Sequence, residues 1–75
     1  MTINDFLILE PEQKAKAVWQ GNFIAIREEG GCKILLYKLE SFYVEVFYNE
    51  HNLIKKIKPF KTVAVLKHFL HENVN

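Results

Sequence analysis

The sequence predicts a two-layer α+β domain with the order α-α-β-β-β-β-α. Its sheet is a four-stranded antiparallel meander, with two N-terminal helices and one C-terminal helix on one face. Three observations lead there. Ile34–Tyr48 reads as two strands joined by the short turn Glu40–Ser41, rich in β-branched and aromatic residues and free of proline. Glu28-Glu29-Gly30-Gly31 supplies a second tight turn, because paired glycines accept positive φ. Stretches of helical apolar spacing stand at both ends of the chain.

Taken in order, Thr2 followed by Asp5 resembles a helix-capping arrangement, and Ile3, Phe6 and Leu7 recur at helical spacing over about residues 3–9. Pro11 opens a second helix, Glu12 suits its N-terminus, and Gly21 marks its end. Ala15, Val18 and Trp19 form its apolar stripe, with Trp19 expected to anchor it on the sheet. Asn22–Arg27 is the first strand. A two-residue or a four-residue loop gives the same facing: Ile24 and Ile26 toward the core, Phe23, Ala25 and Arg27 away from it.

In the central hairpin a two-residue turn sets Leu39 opposite Phe42, Tyr37 opposite Val44 and Leu35 opposite Val46. These six residues then share one apolar face. Asn49–Asn52 is a loop, and Leu53–Lys58 is a fourth strand closed by Pro59. Its expected register puts Glu45 opposite Lys56, Phe47 opposite Ile54 and Val44 opposite Ile57. Thr62 is an N-cap for the last helix, whose stripe is Val63, Leu66, Phe69 and Leu70. The tail Asn73–Asn75 is expected to fray.

Seventy-five residues make one domain, 1–75, which buries only about 60–65% of the surface its unfolded chain exposes. The single Cys32 excludes an internal disulfide, so stability is expected to draw on self-association or a partner. A net charge of +1 offers no global attraction to nucleic acid or membrane. No apolar run approaches the ~20 residues of a membrane span, and Met1–Glu12 lacks the basic region and cleavage site of a signal peptide. The expected location is the cytoplasm.

Chemistry-bearing residues are few. His68, His71 and Glu72 on the last helix would need His51 or Cys32 to close a metal site, and their spacing matches no zinc signature. Solvated histidines at a helix C-terminus explain them. Cys32 has no catalytic signature around it and reads as a small apolar filler. Glu28 and Glu29 form an acidic turn, and Gly30-Gly31 precedes a strand, not the helix N-terminus a phosphate loop requires. No catalytic, cofactor or metal residue is assigned, and the protein is read as a non-enzyme.

What remains is a surface. With all helices on one side, Phe23, Ile34, Leu36, Tyr43, Phe47 and Ile54 would form an open apolar patch framed by Arg27, Lys38, Glu45, Lys56 and Lys58. The expected function is a protein-interaction module, self-associating as a homodimer or docking a protein partner there. Tyr43 and Phe47 would be anchors, and Glu45, Lys56 and Lys58 would orient the partner at the rim. The alternative is a nucleic-acid accessory factor using Lys55, Lys56, Lys58 and Lys61 with the sheet aromatics. Balanced charge opposes it, and lysines on an edge strand also prevent edge-to-edge aggregation.

The patterns L-x-P-E-x-K-A-x-A-V-W-x-G-x-F (Leu9–Phe23), K-I-L-L-Y-x-L-x-x-F-Y-V-E-V (Lys33–Val46) and L-x-x-F-L (Leu66–Leu70) cover most of the chain. They resemble a group of short bacterial α+β proteins with an acidic-proline helix, an aromatic β-hairpin and a C-terminal helix. The resemblance implies that fold, and carries no activity, cofactor, partner or site residue.

Overall fold

The computed structural model describes residues 1–61. Over them the chain forms α1 (Ile3–Leu7), α2 (Pro11–Trp19), β1 (Asn22–Glu29), β2 (Cys32–Leu39), β3 (Phe42–Tyr48) and β4 (Ile54–Phe60). The strands make one antiparallel sheet in the order β1-β2-β3-β4, the expected meander. The expected last helix lies outside the described residues.

Both helix starts are built from local hydrogen bonds. Asp5 N–H donates to Thr2 Oγ1 at 3.2 Å and Thr2 N–H donates to Asp5 Oδ2 at 3.0 Å, a closed capping box. At α2, with Pro11 as its first residue, Glu10 N–H donates to Gln13 Oε1 at 3.2 Å. Gly21 follows the helix end, but its φ is not positive. Its role is close approach: a Cβ there would stand 2.9 Å from the Lys38 carbonyl oxygen and 2.9 Å from Leu39 Cδ1. By contrast, Gly30 and Gly31 take φ of +58° and +82° in a two-residue turn between the paired residues Glu29 and Cys32.

The central hairpin has the expected register, with Leu39, Tyr37 and Leu35 opposite Phe42, Val44 and Val46. Glu40 takes φ +26° to make its turn, and its carboxylate receives the terminal amine of Met1 at 3.0 Å. On this first face Phe6 and Val18 pack with Leu39, Phe42, Val44 and Val46, and the Phe6 and Phe42 rings meet edge to face. Val18, not Trp19, is the helix anchor. Trp19 falls off the buried stripe and is 58% exposed.

Two register shifts change which face some residues occupy. In β1 an extra residue, Ile24, is inserted between the paired residues Phe23 and Ala25. A one-residue bulge inverts the facing of everything beyond it. Phe23 therefore sits opposite Tyr37, ring on ring at 5.7 Å, on the first face and not on the expected patch. In β4 the expected register is displaced by two residues, so that Glu45 faces Lys58, Phe47 faces Lys56 and Val46 faces Ile57. The strand ends at Phe60 instead of closing at Pro59, which β4 tolerates as an edge strand. The cause lies in the preceding loop. Asn49 Oδ1 accepts from the N–H groups of His51 and Leu53, and Asn52 takes φ +63°. A second irregularity follows, and Ile54 pairs with Tyr48, again leaving the expected patch for the first face.

Candidate functional site: the second sheet face and the open edge

The second face is ordered in rows across the strands: Arg27–Ile34–Phe47–Lys56, then Ala25–Leu36–Glu45–Lys58, then Lys38–Tyr43–Phe60. The structure keeps Ile34, Leu36, Tyr43, Glu45, Phe47, Lys56 and Lys58 on this face as expected, but differs on their β4 partners and on exposure. Ile34, Leu36, Ala25 and Phe60 form a buried cluster with Tyr43 and Phe47 packed against it. Leu36 is 0% exposed and Ile34 2%. Of the nine residues expected to meet a partner, Phe23 and Ile54 lie on the other face, and Ile34, Leu36 and Glu45 are buried. Of those that stay on this face and are not buried, Tyr43 and Phe47 are half-buried and Lys56 and Lys58 are exposed.

Glu45 is not a rim residue. It is 3% exposed, and its carboxylate receives Arg27 Nη2 at 3.6 Å across two strands. Arg27 also pairs with Glu29, its neighbour on the same side of β1. Lys58 stands directly opposite Glu45 on β4. A carboxylate among apolar side chains is tolerable only with such cationic company.

The aromatic rings of this face are already engaged. Tyr43 stacks on Phe60 at 5.7 Å and has Lys38 Nζ 5.9 Å from its centroid. Lys56 Nζ lies 5.1 Å from the Phe47 ring.

The other chemistry-bearing residues are dispersed. Cys32 sits half-buried beside the glycine turn. His51 is exposed in the β3–β4 loop, its Nε2 3.8 Å from the Glu50 carboxylate. Glu28 pairs across to Lys33 while Glu29 turns to Arg27, so the two adjacent carboxylates go to opposite faces. His68, His71 and Glu72 lie outside the described residues. Among the described residues no group of three or more His, Cys, Asp or Glu side chains could hold a metal ion, and no helix is long and apolar enough to cross a membrane.

The sheet's two edges differ sharply. β4 exposes Lys55, Lys56 and Lys58 and contains Pro59, the devices that keep a free edge from pairing. Along β1, eight residues without proline carry no lysine, and the helix-packed cluster contains no β1 residue. On the first face β1 therefore presents Phe23, 55% exposed, and Ile26, 45% exposed, just after the exposed Trp19. Sequence reasoning missed this surface because it assigned Phe23 to the wrong face and Trp19 to the core. The absence of lysine and proline from β1 was the available signal.

No protein-family model, curated protein or solved structure matches this chain.

Proposed function

We propose that the protein is a non-enzymatic protein-interaction module that self-associates along its β1 edge. The observation carrying this reading is the contrast between β4, with its exposed lysines and Pro59, and β1, which has neither residue type and exposes Phe23 and Ile26 just after the exposed Trp19 of α2. A second copy adding its own β1 antiparallel would satisfy both edges at once and continue the sheet to eight strands. Burying the aromatic and Ile side chains at the junction supplies roughly 25 cal/mol per Å2 before the costs of association. The module is of bacterial type and cytoplasmic in this reading.

The test is solution mass by light scattering across a concentration series, for the natural chain and for Ile26→Lys. The natural chain is expected at twice 8.9 kDa. Ile26→Lys places a lysine in the apolar part of the β1 edge and is expected at the monomer mass with unchanged circular dichroism. A natural chain that stays monomeric to about millimolar concentration, a weak-association bound of roughly −4 kcal/mol, defeats the reading.

The nucleic-acid alternative is less well supported. Lys56 and Lys38 are turned onto Phe47 and Tyr43, whose rings a stacking platform would need bare.

A further inference from the structure

We propose that the second copy meets the β1 edge with Ile26 on Ile26, the two-fold axis standing perpendicular to the sheet and passing through that pair. This rests on the edge-to-edge reading above and supplies its register. The helices of both copies then lie on the same side of one continuous sheet.

Backbone parity comes first. Among the described residues β1 has a sheet neighbour on one side only, β2. The two-residue turn Gly30-Gly31 closes on Glu29 and Cys32 as a hydrogen-bonded pair. Hydrogen-bonded and non-hydrogen-bonded pairs alternate along an antiparallel ladder. From the turn backward, Arg27 and Ala25 therefore bond inward to Ile34 and Leu36, while Glu28 and Ile26 turn their N–H and C=O groups to the open edge. The β2–β3 hairpin gives the same parity from its other end. Leu39 and Phe42 close that turn, so Leu36 and Ile34 point toward β1. Past the bulge at Ile24, Phe23 is outward again, opposite Tyr37.

A two-fold axis brings one residue of β1 against itself, and charge and regularity choose which. Glu28 on the axis would oppose two carboxylates, and Arg27 two guanidinium groups; like charges directly opposite are destabilising. Phe23 or Ala25 on the axis would carry the pairing at once across the bulge of both strands. Ile26 gives an uncharged central pair, 45% exposed in the single chain. Beside it Ala25 lies opposite Arg27 of the second copy. The small, buried Ala25 leaves room for the arginine stem, whose guanidinium stays with Glu29 and Glu45 of its own chain. The ladder ends at Ile24, where the bulge turns each strand away.

Charge exchange at position 26 tests the register, because only on the axis does a residue meet itself. Mass is measured by light scattering at low salt for the natural chain, Ile26→Lys, Ile26→Glu and an equimolar mixture of the two variants, with circular dichroism as the check on folding. Each variant alone is expected at 8.9 kDa, and the mixture, which sets lysine opposite glutamate, at twice that. A register centred on Arg27 would put residue 26 opposite Glu28, so Ile26→Lys alone would stay dimeric. That outcome overturns the proposal, as does a mixture left at the monomer mass, and both leave the self-association of the natural chain standing. A monomeric natural chain overturns the register and the reading beneath it together. Cysteine supplies a second route without added charge. In a Cys32→Ser chain treated with oxidised glutathione, Ile26→Cys is expected to give a disulfide-linked dimer, since opposed Cα atoms of a hydrogen-bonded pair stand about 5.5 Å apart. Glu28→Cys, about 14 Å from its copy, is expected to stay unlinked. Linkage at position 28 and not at 26 overturns the proposal.

Discussion

Arg27 Nη2 stands 3.6 Å from the carboxylate of Glu45, and both side chains are almost wholly removed from solvent. The pair ties β1 to β3 across the intervening β2, with Ile34 and Leu36 packed between them in the same cluster region. An ion pair in such a place fixes which residues may lie where more than it adds net stability. Its attraction is offset by the cost of dehydrating two charges.

That balance has a measurable sign. Arg27→Met leaves the Glu45 carboxylate buried without its guanidinium and is expected to cost about 2–3 kcal/mol in chemical denaturation. The double variant Arg27→Met, Glu45→Met removes both charges and is expected to lose only about 1 kcal/mol relative to the natural chain. If the losses of Arg27→Met and Glu45→Met simply sum to that of the double variant, the residues do not interact.

The two kinds of glycine separate cleanly. Gly21→Ala drives a Cβ into the Lys38 carbonyl oxygen and Leu39, at the junction of α2 with the sheet. It is expected to cost about 1–3 kcal/mol. Gly30→Ala meets nothing within 4 Å and suffers only from its φ of +58°, about 1 kcal/mol. Urea melts of the two variants check the order, and a Gly21→Ala chain as stable as the natural one refutes the close-approach reading.

Acid pH probes the first cap. The Thr2 backbone N–H, then its hydroxyl, hold the Asp5 carboxyl below the ordinary 3.8. A carboxyl with a lowered folded-state pKa contributes stability that is present above the unfolded value. That contribution is lost as pH falls through the folded one. In Thr2→Pro both contacts disappear, since proline has neither the N–H nor the hydroxyl. The Asp5 carboxyl is then expected to titrate at its ordinary position, followed by its carbon-13 shift. An unchanged midpoint shows that the cap does not hold the carboxyl.

Much of the architecture was legible locally. The Thr2–Asp5 cap, Pro11 at the head of α2, the Gly30-Gly31 turn and the pairing of Leu39 with Phe42 each depend on a handful of neighbouring residues. A period of two then propagates the register through β2 and β3. Errors arose where one extra residue interrupted that period. The insertion of Ile24 moved Phe23 across the sheet, and the Asn49 loop slid β4 by two positions, carrying Ile54 with it. The β1 bulge has no glycine or other local mark and is settled by how the strands fit together, whereas the β4 shift goes with the loop that Asn49 Oδ1 and the positive φ of Asn52 shape.

By itself, then, the amino-acid order determined the described elements, their succession and the antiparallel meander, since these follow from short-range periodicity and turn chemistry. Only the tertiary structure decided exposure: that Trp19 and Phe23 face solvent, that Glu45 lies buried beside Arg27, and that Leu36 is covered. Exposure depends on what distant parts of the chain place above a residue, and no pattern of near neighbours carries that information.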